Sequence, residues 1–256
     1  MWYVLLQQHL DAGCIHPSHA PTRLAAFIIP KADPTVLPCW VNDYWQLNSN
    51  TVTDSFSILW IDNILADCTK SKIWATLDMT NSFFQTRMHP DNIYLTAVNM
   101  PWGLYEWLVM PMGIKNAPSI HQHRVFAALR PFIGKICHVY LDDIIIWSND
   151  MEEHACNIWS ILQALEDAKL YCNPNKTRLF CKEIHFLGYQ ISCRGIKPNE
   201  GKVDWIKNWP VPELASDVRS FLGLVCYLSA FLPNLAKFTS ILNELMKKEY
   251  NKSFPG

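Results

Sequence analysis

A chain of 256 residues in which half are hydrophobic and only 18% are charged has apolar surface enough to offset the entropy of ordering, which excludes an intrinsically disordered chain. No run approaches the roughly 18 apolar residues of a membrane span, and nine cysteines without repeated CxxC pairs point to reduced thiols inside a cell rather than disulfides. A formal net charge of -1 excludes a grip on nucleic acid by bulk charge, so any such grip depends on where the lysines lie.

Along the chain, Trp2 to Leu10 predicts one short helix, and the opening MWYVLLQQHL has no basic n-region and only a short apolar run, so neither a signal peptide nor a membrane span is expected. Pro17, Pro21, Pro30, Pro34 and Pro38 then break the chain into turns and extended pieces, with a strand from Ala25 to Pro30. Cys14, His16 and His19 lie nearby, but their spacing suits no familiar zinc module and a fourth ligand is missing. KIWATLDMTNSFFQTRM is a strand-like stretch that ends on Asp78 and passes into a turn of Thr80, Asn81 and Ser82. Asn116 is placed as the N-cap of a helix with Pro118 in its first turn, ending near Pro131.

ICHVYL and IIIW read as two buried strands joined by nothing but Asp142-Asp143. Met151 to Leu170 is amphipathic, with Ile158, Leu162 and Leu165 on one face and Asn149 with Glu152 as a capping pair. Short strands ending in FLGYQIS follow, then a helix from about Asp217 to Phe231 carrying Val218, Phe221, Leu222, Val225 and Leu228. Lys169, Lys176, Lys182, Lys197, Lys202, Lys207, Lys237, Lys247 and Lys248 gather in this C-terminal part, as a local basic face or as solvated lysines on helices. Alternating strands and helices give a mixed α/β or α+β fold.

Two adjacent carboxylates between apolar strands repel each other and resist desolvation. Such a pair is either a hairpin turn facing water or a holder of divalent metal, since hard oxygen ligands suit Mg2+. Asp78 is a third acid emerging from apolar company. Three acids on neighbouring strand ends would form the site that two-metal phosphoryl transfer requires, with ions about 4 Å apart.

Tyr140-Leu141-Asp142-Asp143 resembles the Tyr-x-Asp-Asp box of reverse transcriptases, and the chain as a whole is similar to the polymerases of gypsy-class LTR retrotransposons. LDAGCIHPSHAPTRLAAFIIPK, VNDYWQLN, LDMTNSFFQTRM, YEWLVMPMGIKNAPSIHQ, VYLDDIIIWS, HFLGYQIS and VRSFLGLVCYLSAFLPN follow in that family's order. The resemblance implies an α+β right-hand polymerase fold: fingers from residues 1–53 and 86–116, an antiparallel palm from 54–85 and 117–195, and the start of a helical thumb or connection from 196–256. It implies an RNA-directed DNA polymerase in which Asp78, Asp142 and Asp143 are catalytic and hold two Mg2+ ions, with Mn2+ as the alternative. Lys31 would meet the triphosphate. Phe83 would stand beneath the incoming sugar or be an ordinary core aromatic, and Met112, Gln122, Tyr140 and Leu141 would line the nucleotide pocket and template path. Leu187 and Gly188 would hold the primer. The implied partners are dNTPs and an RNA or DNA template with primer, within a larger polyprotein carrying RNase H and integrase. The implied location is intracellular, in the cytoplasm, a virus-like particle or the nucleus, with no membrane.

The chain departs from the family pattern at three places. Cys39 and Trp45 stand where arginines are expected, and neither a thiol nor an indole replaces a guanidinium fork on phosphate. Asn81 stands where a glycine is expected. Seven arginines against fifteen lysines, with eleven tryptophans, fit a copy decayed by C-to-T changes, so a weak or inactive nucleic-acid-binding relic is the alternative to an active enzyme.

Overall fold

Apolar residues at nearly every position of two short segments, 73–77 and 144–147, call for burial on both faces, and this organises the chain. The computed structural model describes residues 2–33, 35–56, 61–244 and 246. Pro34, Lys247, Lys248 and the parts of the expected palm and thumb at 57–60, 245 and 247–256 lie outside the described residues.

Helix α1 (Trp2–Asp11) leads to strands β1 (Ile15–Pro17), β2 (Leu24–Ile29) and β3 (Cys39–Asn42), then helices α2 (Trp45–Ser49) and α3 (Ile61–Cys68). β4 (Ile73–Asp78) runs into a 3-10 turn (Ser82–Gln85), followed by another (Pro90–Thr96), β5 (Val98–Met100), β6 (Gly103–Trp107) and α4 (Ala117–Leu129). Next come β7 (Cys137–Tyr140), β8 (Asp143–Ser148), α5 (Met151–Asp167), β9 (Arg178–Cys181), β10 (Glu183–Phe186), β11 (Tyr189–Ser192) and β12 (Gly195–Pro198). Helices α6 (Glu200–Lys207), α7 (Ala215–Tyr227) and α8 (Leu235–Glu244) complete the described chain.

The central sheet has the order β7-β8-β4-β9. On one face Ala75, Leu77, Ile144 and Ile146 pack against Val125 and Leu129 of α4 and Ile158, Ile161 and Leu165 of α5. On the other, Trp74, Ile145 and Trp147 meet Ile64, Leu65 and Cys68 of α3 and Ile184, Phe186, Tyr189 and Ile191 of the β10-β11-β12 sheet. Burial of each such large side chain contributes about 1.5–3 kcal/mol. The five-stranded sheet β1-β6-β5-β2-β3 has its own core, in which Leu6 of α1 meets Ile15, Val98, Met100 and Trp107.

Several expectations shift in register. The cap of α5 is Asp150, whose side chain accepts from the Glu153 N–H, while Glu153 accepts from the Asn149 N–H, so the pair lies one residue beyond Asn149 and Glu152. The buried stripe of α5 is His154, Ile158, Ile161 and Leu165, and Leu162 is exposed. Asn116 begins α4 without capping it, because its amide instead holds Val52 and Asp54 of the segment after α2. α7 stops at Tyr227, and a 3-10 turn carries the chain to Phe231.

Candidate active site

β4 ends on Asp78 and β8 begins on Asp143, and the two are direct partners across the antiparallel pair. The Met79 N–H donates to the Asp142 carbonyl at 3.0 Å, so the third acid is tied to the same strand end. The tight turn is Leu141-Asp142, closed by the Tyr140–Asp143 pair, rather than Asp142-Asp143. Leu141 adopts φ +54°, a left-handed conformation costly for a bulky residue. It is held there by Gln122 of α4, 1% exposed, whose Oε1 accepts from the Leu141 N–H at 2.9 Å.

Burial, followed by repulsion from Asp78 and Asp142, holds the Asp143 carboxyl above its ordinary pKa, and the Lys176 ammonium opposes this. That ammonium lies 3.2 Å from Asp78 Oδ1. Asp142 Oδ1 is buried without a hydrogen-bond partner. His121 Nε2 is 3.6 Å away, too far to bond, and burial lowers the pKa of that imidazole.

An acceptor without a donor beside repelling carboxyls is an environment that a cation relieves, and the all-oxygen donor set suits Mg2+ or Mn2+. Among the described residues no three Asp, Glu, His or Cys side chains close into a ready metal cage.

The remaining candidates lie on other elements. Asn81 has φ +43° and starts the 3-10 turn that carries Phe83, so the asparagine accommodates the left-handed backbone the turn demands. The half-buried Phe83 ring sits 5.9 Å from the His121 ring, edge-on. Tyr140 is half-buried against the core on the far face of the central sheet. Gln122 and Leu141 line a cleft of about 230 Å3 with Asp54, Phe56, Lys115 and Ser119. Met112, 51% exposed, lies in the loop before α4.

Leu187 and Gly188 form the two-residue turn between β10 and β11, at φ +49° and +75°. Lys202 of α6 packs there, its ammonium 3.6 Å above the Tyr227 ring. Lys31 is exposed just past β2, and no hydrogen bond or ion pair ties it to the aspartates among the described residues. Cys39 is exposed on β3, and Trp45 is 74% exposed at the start of α2. His16, from the set considered for zinc, bonds Glu106 at 2.7 Å.

Sequence reasoning missed Gln85 and Arg124, which bind backbone around the Asp78 turn. Most of their partners are backbone groups far along the chain, which leave no mark on sequence pattern.

Residues 29–191 match the model of the reverse transcriptase (RNA-dependent DNA polymerase) family. The chain belongs to that family. Among its relatives are the Pol polyprotein of transposon 297 of Drosophila melanogaster, 36% identical over 95% of this chain, and that of transposon gypsy, 33% identical over 95%. The Tf2-3 polyprotein of Schizosaccharomyces pombe is 32% identical over 95% of the chain. The chain spans only 23%, 24% and 18% of these three relatives' own lengths.

The fold is that of viral reverse transcriptases. A foamy viral protease-reverse transcriptase in complex with double-stranded DNA superposes at a TM-score of 0.88, 24% identical, covering 98% of this chain and 44% of that one. A foamy viral complex with an RNA/DNA hybrid gives 0.82 at 24% identity, covering 94% and 32%. The right-hand α+β polymerase fold thus holds for this member of the reverse transcriptase family, and among the described residues no helix is long and apolar enough to cross a membrane.

Proposed function

We propose that this chain is the nucleotidyl-transfer core of a retrotransposon reverse transcriptase, extending a primer 3′-hydroxyl with dNTPs on an RNA or DNA template. The observation that carries the reading is the pairing of Asp78 with Asp143 across β4 and β8, with Asp142 in the adjoining turn. In this reading residues 1–53 and 86–116 are fingers, 54–85 and 117–195 palm, and 196 onward the start of the thumb.

Asp78 and Asp142 would ligate both of two divalent cations and Asp143 would complete the set. The chemistry such ions supply when bound is activation of the 3′-hydroxyl and neutralisation of departing pyrophosphate. The protein's own groups do the rest. Gln122 fixes the Leu141 turn next to Asp142, and Phe83 would stand where a sugar 2′-hydroxyl collides. The exposed Lys31 reaches the triphosphate as a point charge, with Met112 and Tyr140 bordering the nucleotide. Leu187 and Gly188 position the primer end, and contact along the duplex backbone leaves recognition largely independent of sequence. The relatives are polyproteins, and we place RNase H and integrase outside this segment, with the working site inside the cell.

One second reading has an observation in its favour. The exposed Cys39 and Trp45, in place of arginines, fit a relic that binds nucleic acid without catalysis. Primer extension on an RNA template with dNTPs and Mg2+ or Mn2+ separates the two. Incorporation abolished by Asp142→Asn supports the polymerase. No incorporation, together with primer-template binding unchanged by Asp78→Ala, overturns it in favour of the relic.

A further inference from the structure

The turn after Asp78 is held by a side chain to which nothing above gives a part in the chemistry. Gln85 pairs with the backbone of Tyr171 as a neighbouring strand would: its Oε1 accepts from the Tyr171 N–H at 2.8 Å, and its Nε2 donates to the Tyr171 carbonyl at 2.9 Å. The same Nε2 donates to the Thr80 carbonyl, closing residues 80–85 into a loop around Phe83. Tyr171 also accepts from the Thr80 N–H at 3.1 Å, and Asn173 donates to the Asp78 carbonyl at 2.8 Å, so the 171–173 segment is a rail along the whole turn. From the other side Arg124 donates to the Gln85 carbonyl at 2.6 Å, to Thr86 Oγ1 at 2.9 Å and to the Ala168 carbonyl at 3.2 Å. One helical turn before Arg124 on α4, His121 meets the Phe83 ring edge-on.

A glutamine whose amide spends every bond on backbone is fixed in both position and orientation. Within the loop that it closes, the N–H of Phe84 is donated to the Asn81 carbonyl and that of Thr86 to the Phe83 carbonyl, so the Phe83 backbone has little freedom of its own. A ring that screens a sugar by contact works only if it cannot retreat, because rejecting one hydroxyl demands a wall placed to a fraction of an ångström.

We propose that Gln85 is a positioning residue for nucleotide choice: by clamping the 80–85 loop to Tyr171 it holds Phe83 against the incoming sugar and so sets the preference for deoxy- over ribonucleotides. The proposal rests on the reading of Phe83 as the sugar-facing residue.

The test uses the full chain with a dideoxy-terminated primer on an RNA template, so that binding is measured without turnover. The affinity ratio of the next complementary dNTP to its ribonucleotide is compared in wild type, Q85M, Q85E and F83V, and kcat/KM ratios are taken with an extendable primer. Q85M keeps the length of the side chain and removes both donors and the acceptor. Q85E retains the acceptor for the Tyr171 N–H, and it carries the test if Q85M does not fold.

The ratio should fall about tenfold in Q85M, the effect of losing one to two net hydrogen bonds, and in the same direction in Q85E. A merely structural glutamine would lower the melting temperature and leave the ratio alone. Discrimination relaxed by F83V but unchanged in Q85M and Q85E overturns the clamp alone. Discrimination unchanged by F83V, or no nucleotide binding by wild type, overturns the reading of Phe83 and the clamp with it.

Discussion

Gly188 shows how much one missing methyl group does. At φ +75°, a Cβ there would lie 2.7 Å from the Tyr227 hydroxyl and would overlap the Lys202 ammonium. Gly13, at φ +64°, has open space in the same direction. Gly13→Ala should therefore lose only the left-handed backbone term, about 1 kcal/mol. Gly188→Ala should lose more, because the Tyr227 hydroxyl has to shift as well as the flexible end of Lys202. Urea denaturation of the two variants reads the difference directly, and equal losses would mean that the packing of α6 and α7 on the turn carries no energy. Besides Lys169 and Phe180, the bulky residues held left-handed are Leu141 and, in this same turn, Leu187 at φ +49°. Both stand at positions proposed to touch the substrate duplex, where strain is retained only because the surroundings over-determine it.

Among the elements, α5 separates what patterns can and cannot tell. Its length and amphipathic character were legible, because a 3.6-residue period survives local ambiguity. The capping residue was not, since Asn149, Asp150, Glu152 and Glu153 offer two equally plausible pairs one residue apart. Asp150→Ala should cost about 1 kcal/mol in a denaturation midpoint while Asn149→Ala stays near neutral. The reverse order would restore the sequence-based pair.

The Asp142-Asp143 turn failed for a related reason. The apolar runs marked two strands, but only the Tyr140–Asp143 pairing assigns Asp143 to a strand and Leu141 to the turn. The convergence of Asp78 with these acids was legible through motif order, whereas Gln85 was not, since Tyr171 lies 86 residues away and contributes only backbone. The sheet order β1-β6-β5-β2-β3 likewise has no counterpart in periodicity, which reports faces and not neighbours.

Over the whole molecule, buried imidazoles tie stability to acidity. His9 in α1, His121 in α4 and His154 in α5 are each held by burial below the ordinary 6.5. The folded chain resists protonating them while the unfolded chain does not, so below about pH 6.5 the unfolded state binds more protons and stability falls. Above that pH neither state protonates them and the effect vanishes. Asp143, raised by burial, acts in the opposite sense. The histidine contribution is therefore read as the difference between wild type and His154→Gln, as the urea midpoint is followed from about pH 7.5 to about pH 5.5. Wild type should lose more stability than the variant over this range, and identical slopes would exclude His154 as a source.

The facing of Asp78 and Asp143 across β4 and β8 also limits how this gene can change. Side chains alternate between the two sides of a sheet, so one codon gained or lost within 73–78 or 143–148 turns an acid away from its counterpart and brings an isoleucine or leucine forward in its place. A point change at one of the other ten positions leaves that facing in register, whereas a triplet inserted there separates the two acids.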